Sequence, residues 1–281
     1  NIVAKVDAIG EPPEEWLSGA AAPEPGADGE IYCRRGGYLG DLARFNPIEY
    51  GIMPNSVDGA DPDQFLALRV AHEALADAGY IDRPLSRERT EVVLGRGAYI
   101  NRGYGNLMQQ GQILDQTMCI LRPFLPDRSA EEIAAIRREL KASLPPFTAE
   151  TAAGLVPNIV SGRIANRMDF MGPSFTVDAA CASALIALDI AMRDLLTHRC
   201  DAAVVGGVQA STPPPIHTIF CTLGALSRKN QIRPFDRGAD GTMLGEGVGV
   251  VVLKRREDAE RDGDRIYAIV KGIGSASDGR A

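Results

Sequence analysis

Residues 174–208 read SFTVDAACASALIALDIAMRDLLTHRCDAAVVGGV, and their order decides the fold. Residues 174–179 are short, mostly apolar and suited to a strand. Residues 181–197 put Leu185, Leu188, Met192 and Leu195 on one side of a helix. Residues 202–208 are a second apolar run, ending in Gly206-Gly207. Strand, helix and strand in this order make a β-α-β unit, whose two strands run parallel.

Outward from that unit, Val248, Val250 and Val252 alternate with small or apolar residues, so 247–253 reads as a buried strand. Residues 91–94 are another. Residues 257–262 read as a helical turn broken by Gly263, and 266–272 as a further strand. Asp61-Pro62 opens a helix over 61–79: Asp61 caps it, Pro62 suits its first turn and Gly79 suits a left-handed end. Residues 18–30 are small, Pro- and Gly-rich and read as a loop. Residues 100–150 read as a surface excursion, with a capping box at Ser129 and Glu132. No repeat with a period of 20–50 residues is present.

The chain has 281 residues, 45% hydrophobic and 24% charged. At about 150 residues per unit this is two structural units or one large one, and too apolar for a disordered protein. No apolar run approaches the ~20 residues of a membrane helix. With 30 Lys+Arg against 37 Asp+Glu, the net charge of −7 argues against nucleic acid as a partner. The five cysteines are scattered, with neither a metal-site spacing nor a disulfide framework, which points to a reducing, cytoplasmic setting. The chain opens at Asn1 without an initiator Met and stops after a Gly- and Ser-rich stretch, so both ends read as cut.

Cys181 stands where the first strand turns into the helix. A side chain there is held outward in a fixed direction. The helix N-terminus offers unpaired N–H groups and a partial positive charge, which favour thiolate and can steady an oxyanion. Small neighbours (Ala180, Ala182, Ser183, Ala184) leave room for a substrate. The alternative is a buried core thiol. Gly245–Gly249 lacks the spacing of a phosphate-binding run and precedes a strand. Asp236 and Asp240 read as turn formers. Arg228, Lys229 and Arg233 make either a solvated basic loop or a landing site for an acidic partner.

Four blocks follow one another: VDAACASAL (177–185), AVVGGV (203–208), GALS (224–227) and RPFDRGADGTMLGEGVGVVVLKR (233–255). Together they resemble the β-ketoacyl synthase family, the condensing domains of fatty acid and polyketide synthases. The likeness runs from about residue 61 to the end. DPDQFLALRVAHEALADAGY (61–80) and IRRELKASLPPF (136–147) are similar to bacterial iterative type I polyketide synthases, near the polyunsaturated-fatty-acid type. The resemblance implies an α/β, thiolase-like layered αβαβα fold, incomplete here. Residues 1–253 would be the N-terminal nucleophile half, and 254–281 the truncated start of the C-terminal half.

The resemblance also implies that Cys181 takes an acyl chain from the 4'-phosphopantetheine arm of an acyl carrier protein. A malonyl unit is then decarboxylated, and its enolate attacks the acyl-Cys. Phe220 falls where the family lines the acyl pocket, or is an ordinary core Phe. The family's two histidines and lysine lie in blocks of the type EAHGTGT and KSNIGH, which do not occur here. His72, within the helix 61–79, His198, at the end of the helix 181–197, and His217, in a loop after the Pro213–Pro215 run, do not replace them on motif grounds. The family often reads DTACSSS where this chain has DAACASA, which implies tuning rather than loss. A homodimer contacting through 95–120 and 160–180 is expected, with no metal or cofactor held by the chain itself. The alternatives are a homologue that transfers acyl groups without condensing, and a catalytically silent dimerisation scaffold.

Overall fold

The computed structural model describes residues 3–17, 30–57, 59–97 and 101–280. The predicted loop at 18–30 lies outside them, apart from Glu30. A short antiparallel pair, β1 (Ile9–Gly10) and β2 (Gly36–Gly37), organises the N-terminal segment.

The main sheet holds β3 (Thr90–Gly95), β4 (Ser174–Val177), β5 (Ala202–Gln209) and β6 (Gly247–Lys254), in the order β4-β3-β5-β6. β3 runs parallel to both β4 and β5, with Leu94 opposite Thr176 and Val92 opposite Val204. The β-α-β unit therefore straddles β3, and its two strands are parallel as expected. β6 lies antiparallel beside β5.

Both faces of β3 are covered, which is why all six of its residues are buried. Val92 and Leu94 face α1 (Pro62–Asp77) and α6 (Ile159–Met168), in a core with Phe65, Leu68, Leu75, Val160 and Ile164. Val93 faces α7 (Ser183–Leu196), where Ala187, Ala191 and Leu195 meet Ala203 and Val205. Strand side chains alternate between faces, so one short run builds two cores. The outer side of α7 is open: Leu185 is 62% and Leu196 71% exposed.

The segment after β3 folds as α2 (Arg102–Met108), α3 (Leu114–Leu121), α4 (Ala130–Ser143) and α5 (Ala149–Ala153). α4 has no buried residue, as a surface excursion requires. Its capping box is formed: Glu132 N–H donates to Ser129 Oγ at 3.2 Å, and Ser129 N–H donates to Glu132 Oε2 at 2.8 Å. α8 (Pro214–Thr222) and α9 (Arg256–Arg261) complete the helices.

Four expectations are corrected. The strand at 247–253 is not buried: among the described residues β6 ends the sheet beside β5, and its residues alternate between exposed and half-buried. The prolines at 213–215 do not mark a loop: Pro213 is the N-cap and Pro214 the first residue of α8, where a missing N–H costs nothing. The helix after β4 starts at Ser183 rather than Cys181, because Ala180 takes a left-handed conformation (φ = 49°) and delays it. Residues 266–272 form no strand. No partner strand lies alongside among the described residues, and Ile266, Tyr267, Ile269 and Val270 remain exposed.

The second residue of β3, Glu91, is wholly buried. No N–H or O–H among the described residues reaches either carboxyl oxygen. Burial, reinforced by the Asp194 charge, pushes its pKa up to about 7. The folded state therefore holds a proton that the unfolded chain releases near 4.5, so Glu91 costs stability as pH rises through the folded value. Glu91→Gln is expected to gain on the parent chain by on the order of 2–3 kcal/mol between pH 5 and pH 8. Denaturant melts at the two pH values check this, and a gap independent of pH would contradict it.

Candidate active site

The C-terminal ends of β3, β4 and β5 lie at one edge of the sheet, where α7 begins. After Val177 the chain turns sharply before entering α7. Asp178 Oδ1 accepts the Ala180 N–H at 2.9 Å. Ser183 Oγ accepts the Ala179 N–H at 2.8 Å and donates to Ala180 O at 2.6 Å. Ala182 N–H donates back to Ala179 O at 3.1 Å. With Ala180 left-handed, these bonds close an elbow that carries Cys181 at its outer bend, exposed. Ala182 then caps α7 without any side-chain hydrogen bond, so no side chain competes for the N–H groups of the first turn.

The small residues around Cys181 divide into two roles. Ala179, Ala180, Ala182 and Ala184 are exposed and leave the thiol open. Ser183 is buried and ties the elbow together. Of the hydroxyls in the DTACSSS pattern, this chain keeps the one that closes the turn.

Two glycines let α7 start so close to the sheet. A Cβ on Gly95 would sit 2.4 Å from the Ser183 carbonyl carbon and 2.4 Å from the Ala184 nitrogen. A Cβ on Gly207 would sit 2.8 Å from that of Ala184. Neither Gly95 nor Ser183 was singled out as a positioning residue from sequence. The glycine ending the run VVLG and the lone hydroxyl in CASA were the available signals.

The other candidates are dispersed. Phe220 lies on α8, partly buried against the cluster of Cys221, Leu226 and Met243. His72 packs edge-on against Tyr50, with ring centroids 5.6 Å apart. His198 follows the far end of α7, about 20 Å along a helix of this length from the elbow. His217 is wholly buried between Trp16 and Tyr38, with Nδ1 3.2 Å from Cys33 O; burial pulls its pKa below the ordinary value. None of the three shares the elbow with Cys181. Asp236 and Asp240 do shape turns. Asp236 accepts Gly238 N–H, while Asp240 accepts Ser227 Oγ–H and Arg228 N–H. In the same loop, Arg228 stacks on Tyr32 at 4.2 Å.

This arrangement presents an exposed sulfur nucleophile held in a fixed direction. Residues 1–259 match the family described as "Beta-ketoacyl synthase, N-terminal domain". The chain belongs to this family. It is 32% identical over 286 residues to one polypeptide of the polyunsaturated fatty acid synthase of Thraustochytrium, covering 100% of this chain and 10% of that protein. It is 34% identical over 278 residues to one polypeptide of the phenolphthiocerol/phthiocerol polyketide synthase of Mycobacterium tuberculosis, covering 98% of this chain and 13% of that one. Among solved structures, a ketosynthase from module 6 of the bacillaene synthase of Bacillus subtilis superposes with a TM-score of 0.71 at 28% identity, covering 95% of this chain and 38% of that one. The oxazolomycin ketosynthase domain of Streptomyces albus gives 0.70 at 31%, covering 93% and 40%. This chain thus spans a small part of those synthases and about two fifths of those ketosynthases. Its fold is thiolase-like, and the sheet described above is that of the ketosynthase N-terminal domain.

Gly95→Ala is expected to force the elbow away from β3, at about 1–3 kcal/mol. Ser183→Ala should cost about 1–2 kcal/mol by leaving the Ala179 N–H unpaired. Both should slow iodoacetamide labelling of Cys181, followed by mass spectrometry, with Cys119 as the exposed internal control. Unchanged labelling of Cys181 would show that the elbow does not depend on these contacts.

Proposed function

We propose that Cys181 is the acyl acceptor of a β-ketoacyl synthase reaction. One observation carries this reading: an exposed thiol stands on a closed strand-to-helix elbow, with alanines around it. The Cys181 sulfur attacks the carbonyl carbon of an acyl thioester on the 4'-phosphopantetheine arm of an acyl carrier protein. The tetrahedral oxyanion is steadied by the Cys181 N–H, with the other donor assigned, by likeness to the family, to the second half. Its collapse breaks the old C–S bond, and the departing pantetheine thiolate takes a proton. A malonyl thioester then loses carbon dioxide. The resulting enolate carbon attacks the acyl-Cys181 carbonyl, expels the Cys181 thiolate and leaves a β-ketoacyl thioester one two-carbon unit longer.

In this reading residues 1–253 are the nucleophile half and 254–281 open the second half. By likeness to the family, the second half carries the histidines and lysine for decarboxylation. The apolar side chains left open on α7 (Leu185, Leu196) and in the extended 266–270 segment support a further layer. Phe220 is assigned to the acyl pocket by the same likeness, and the basic loop of Arg228, Lys229 and Arg233 to the approach of the acidic carrier protein. A homodimer fits the apolar residues Leu107, Ile113, Ile120 and Met171, all exposed, and the outer edge of β4, which no strand among the described residues covers. No helix among the described residues is long and apolar enough to cross a membrane. The described cysteines, all free, suit a reducing cytoplasm.

The test is intact-mass analysis of the synthase containing this segment, given first an acyl thioester and then malonyl carrier protein. The expected result is an acyl adduct on Cys181, then a two-carbon extension, with both lost in Cys181→Ala. An adduct without extension would replace condensation by acyl transfer alone. No adduct at Cys181 would leave only a scaffold.

A further inference from the structure

A buried ion triad lies beneath the elbow. Asp61 caps α1, Asp63 stands in the first turn of α1, and Arg96 directly follows β3. These residues are 4%, 5% and 6% exposed. Arg96 Nε donates to Asp63 Oδ2 at 2.7 Å, and Arg96 Nη2 donates to Asp61 Oδ2 at 2.9 Å. The triad also grips two strand ends. Asp63 Oδ1 accepts the N–H of Ala210, the first residue past β5, at 2.7 Å. The Arg96 backbone N–H donates to Val177 O, at the end of β4, at 3.0 Å. The next residue, Asp178, holds the Ala180 N–H beside Cys181.

Two buried carboxylates against one guanidinium leave an excess of negative charge. Burial, with the Asp63 charge, raises the Asp61 pKa while Arg96 opposes the rise. Such a cluster is a poor source of net stability, since an apolar replacement packs as well without desolvating charge. What it supplies is direction. A planar guanidinium donating to two different carboxylates fixes both relative to its own backbone.

We propose that Arg96 is a positioning residue for Cys181. By clamping Asp61 and Asp63, it sets the ends of β3, β4 and β5 in the one arrangement from which the elbow directs the thiol outward. Its catalytic importance rests on the acyl-acceptor reading of Cys181; its geometric effect does not.

The experiment uses the synthase containing this segment, with two variants. Arg96→Lys keeps the charge but replaces two donors fixed in one plane by a single freely rotating ammonium. Asp63→Asn/Arg96→Met removes opposite charges together, so the buried net charge is unchanged. Iodoacetamide labelling is resolved at Cys181 and Cys119, acylation from an acyl thioester is timed, and cooperative melting is monitored. Both variants should melt cooperatively, slow labelling and acylation at Cys181 by about tenfold or more, and leave Cys119 unchanged. Arg96→Lys should retain more Cys181 reactivity than the double variant. Parental rates at Cys181 in a cooperatively melting variant would overturn the proposal. So would loss of cooperative melting in both, which would make the triad a stability element. If parental Cys181 alkylates readily but takes no acyl group, the acyl-acceptor reading fails while the iodoacetamide comparison still decides the role of Arg96.

Discussion

The elbow exists only because the backbone of α7 touches the sheet without intervening side chains. Gly95 ends β3 and Gly207 lies near the end of β5, and these are the two strands on which α7 rests. Bare backbone at both positions lets Ser183 and Ala184 approach closely. That proximity lets a single hydroxyl, Ser183 Oγ, bridge Ala179 and Ala180. With side chains there, α7 would begin further from the sheet and the turn could not close over so short a distance. The outward aim of Cys181 follows from backbone packing rather than from any side chain that touches it.

The opposite end of α7 is held by charge. Arg255 donates to Leu195 O at 3.0 Å and to Cys200 O at 2.7 Å, giving the last carbonyls of the helix a cation, as its dipole favours. Lys254, the last residue of β6, donates to Tyr80, Asp262 and Asp264 at 2.7–2.8 Å, and Arg83 also reaches Asp264. A cavity of about 610 Å³ opens here, lined by Arg83, Lys254, Arg255 and Arg261 together with Asp201, Asp258 and Asp262. Each of these cations has a carboxylate partner, so the cavity is an ion-paired seam at the sheet end remote from Cys181.

Local patterns made much of this legible. The strand-helix-strand order, the Asp61 cap and the Ser129 box each depend on residues adjacent in sequence, and each took the expected form; the alternation in β6 gave a strand but not its burial, because only neighbouring elements decide which strand ends the sheet. What was not legible depended on distant chain. The Pro213–Pro215 run read as a loop because prolines end helices as well as open them, and the run alone does not say which. Residues 266–272 have a strand's composition, but a strand is a property of pairs and this one lacks a mate among the described residues. The Arg96 triad joins residues more than 30 positions apart, and no spacing rule connects them. At the site, the cysteine was legible from its elbow, whereas the contacts that aim it were not.

α7 is apolar on two sides. Ala187, Ala191 and Leu195 are buried against the sheet, while Leu185 and Leu196 face outward. Covering a leucine is worth about 1.5–3 kcal/mol, so an ordinary surface helix would carry polar groups there. In a layered αβαβα fold such a helix belongs to the central layer, sandwiched between two sheets. Under the proposed reading, the elbow stands at the junction between layers rather than at the rim of one. Small residues and a closed backbone turn hold the Cys181 sulfur, and none of the described histidines shares the elbow with it. Under the proposed reaction, groups acting on malonate must approach from the side α7 leaves uncovered. On that proposal the labour divides by layer, with this one fixing the nucleophile and the facing one carrying the acid–base groups.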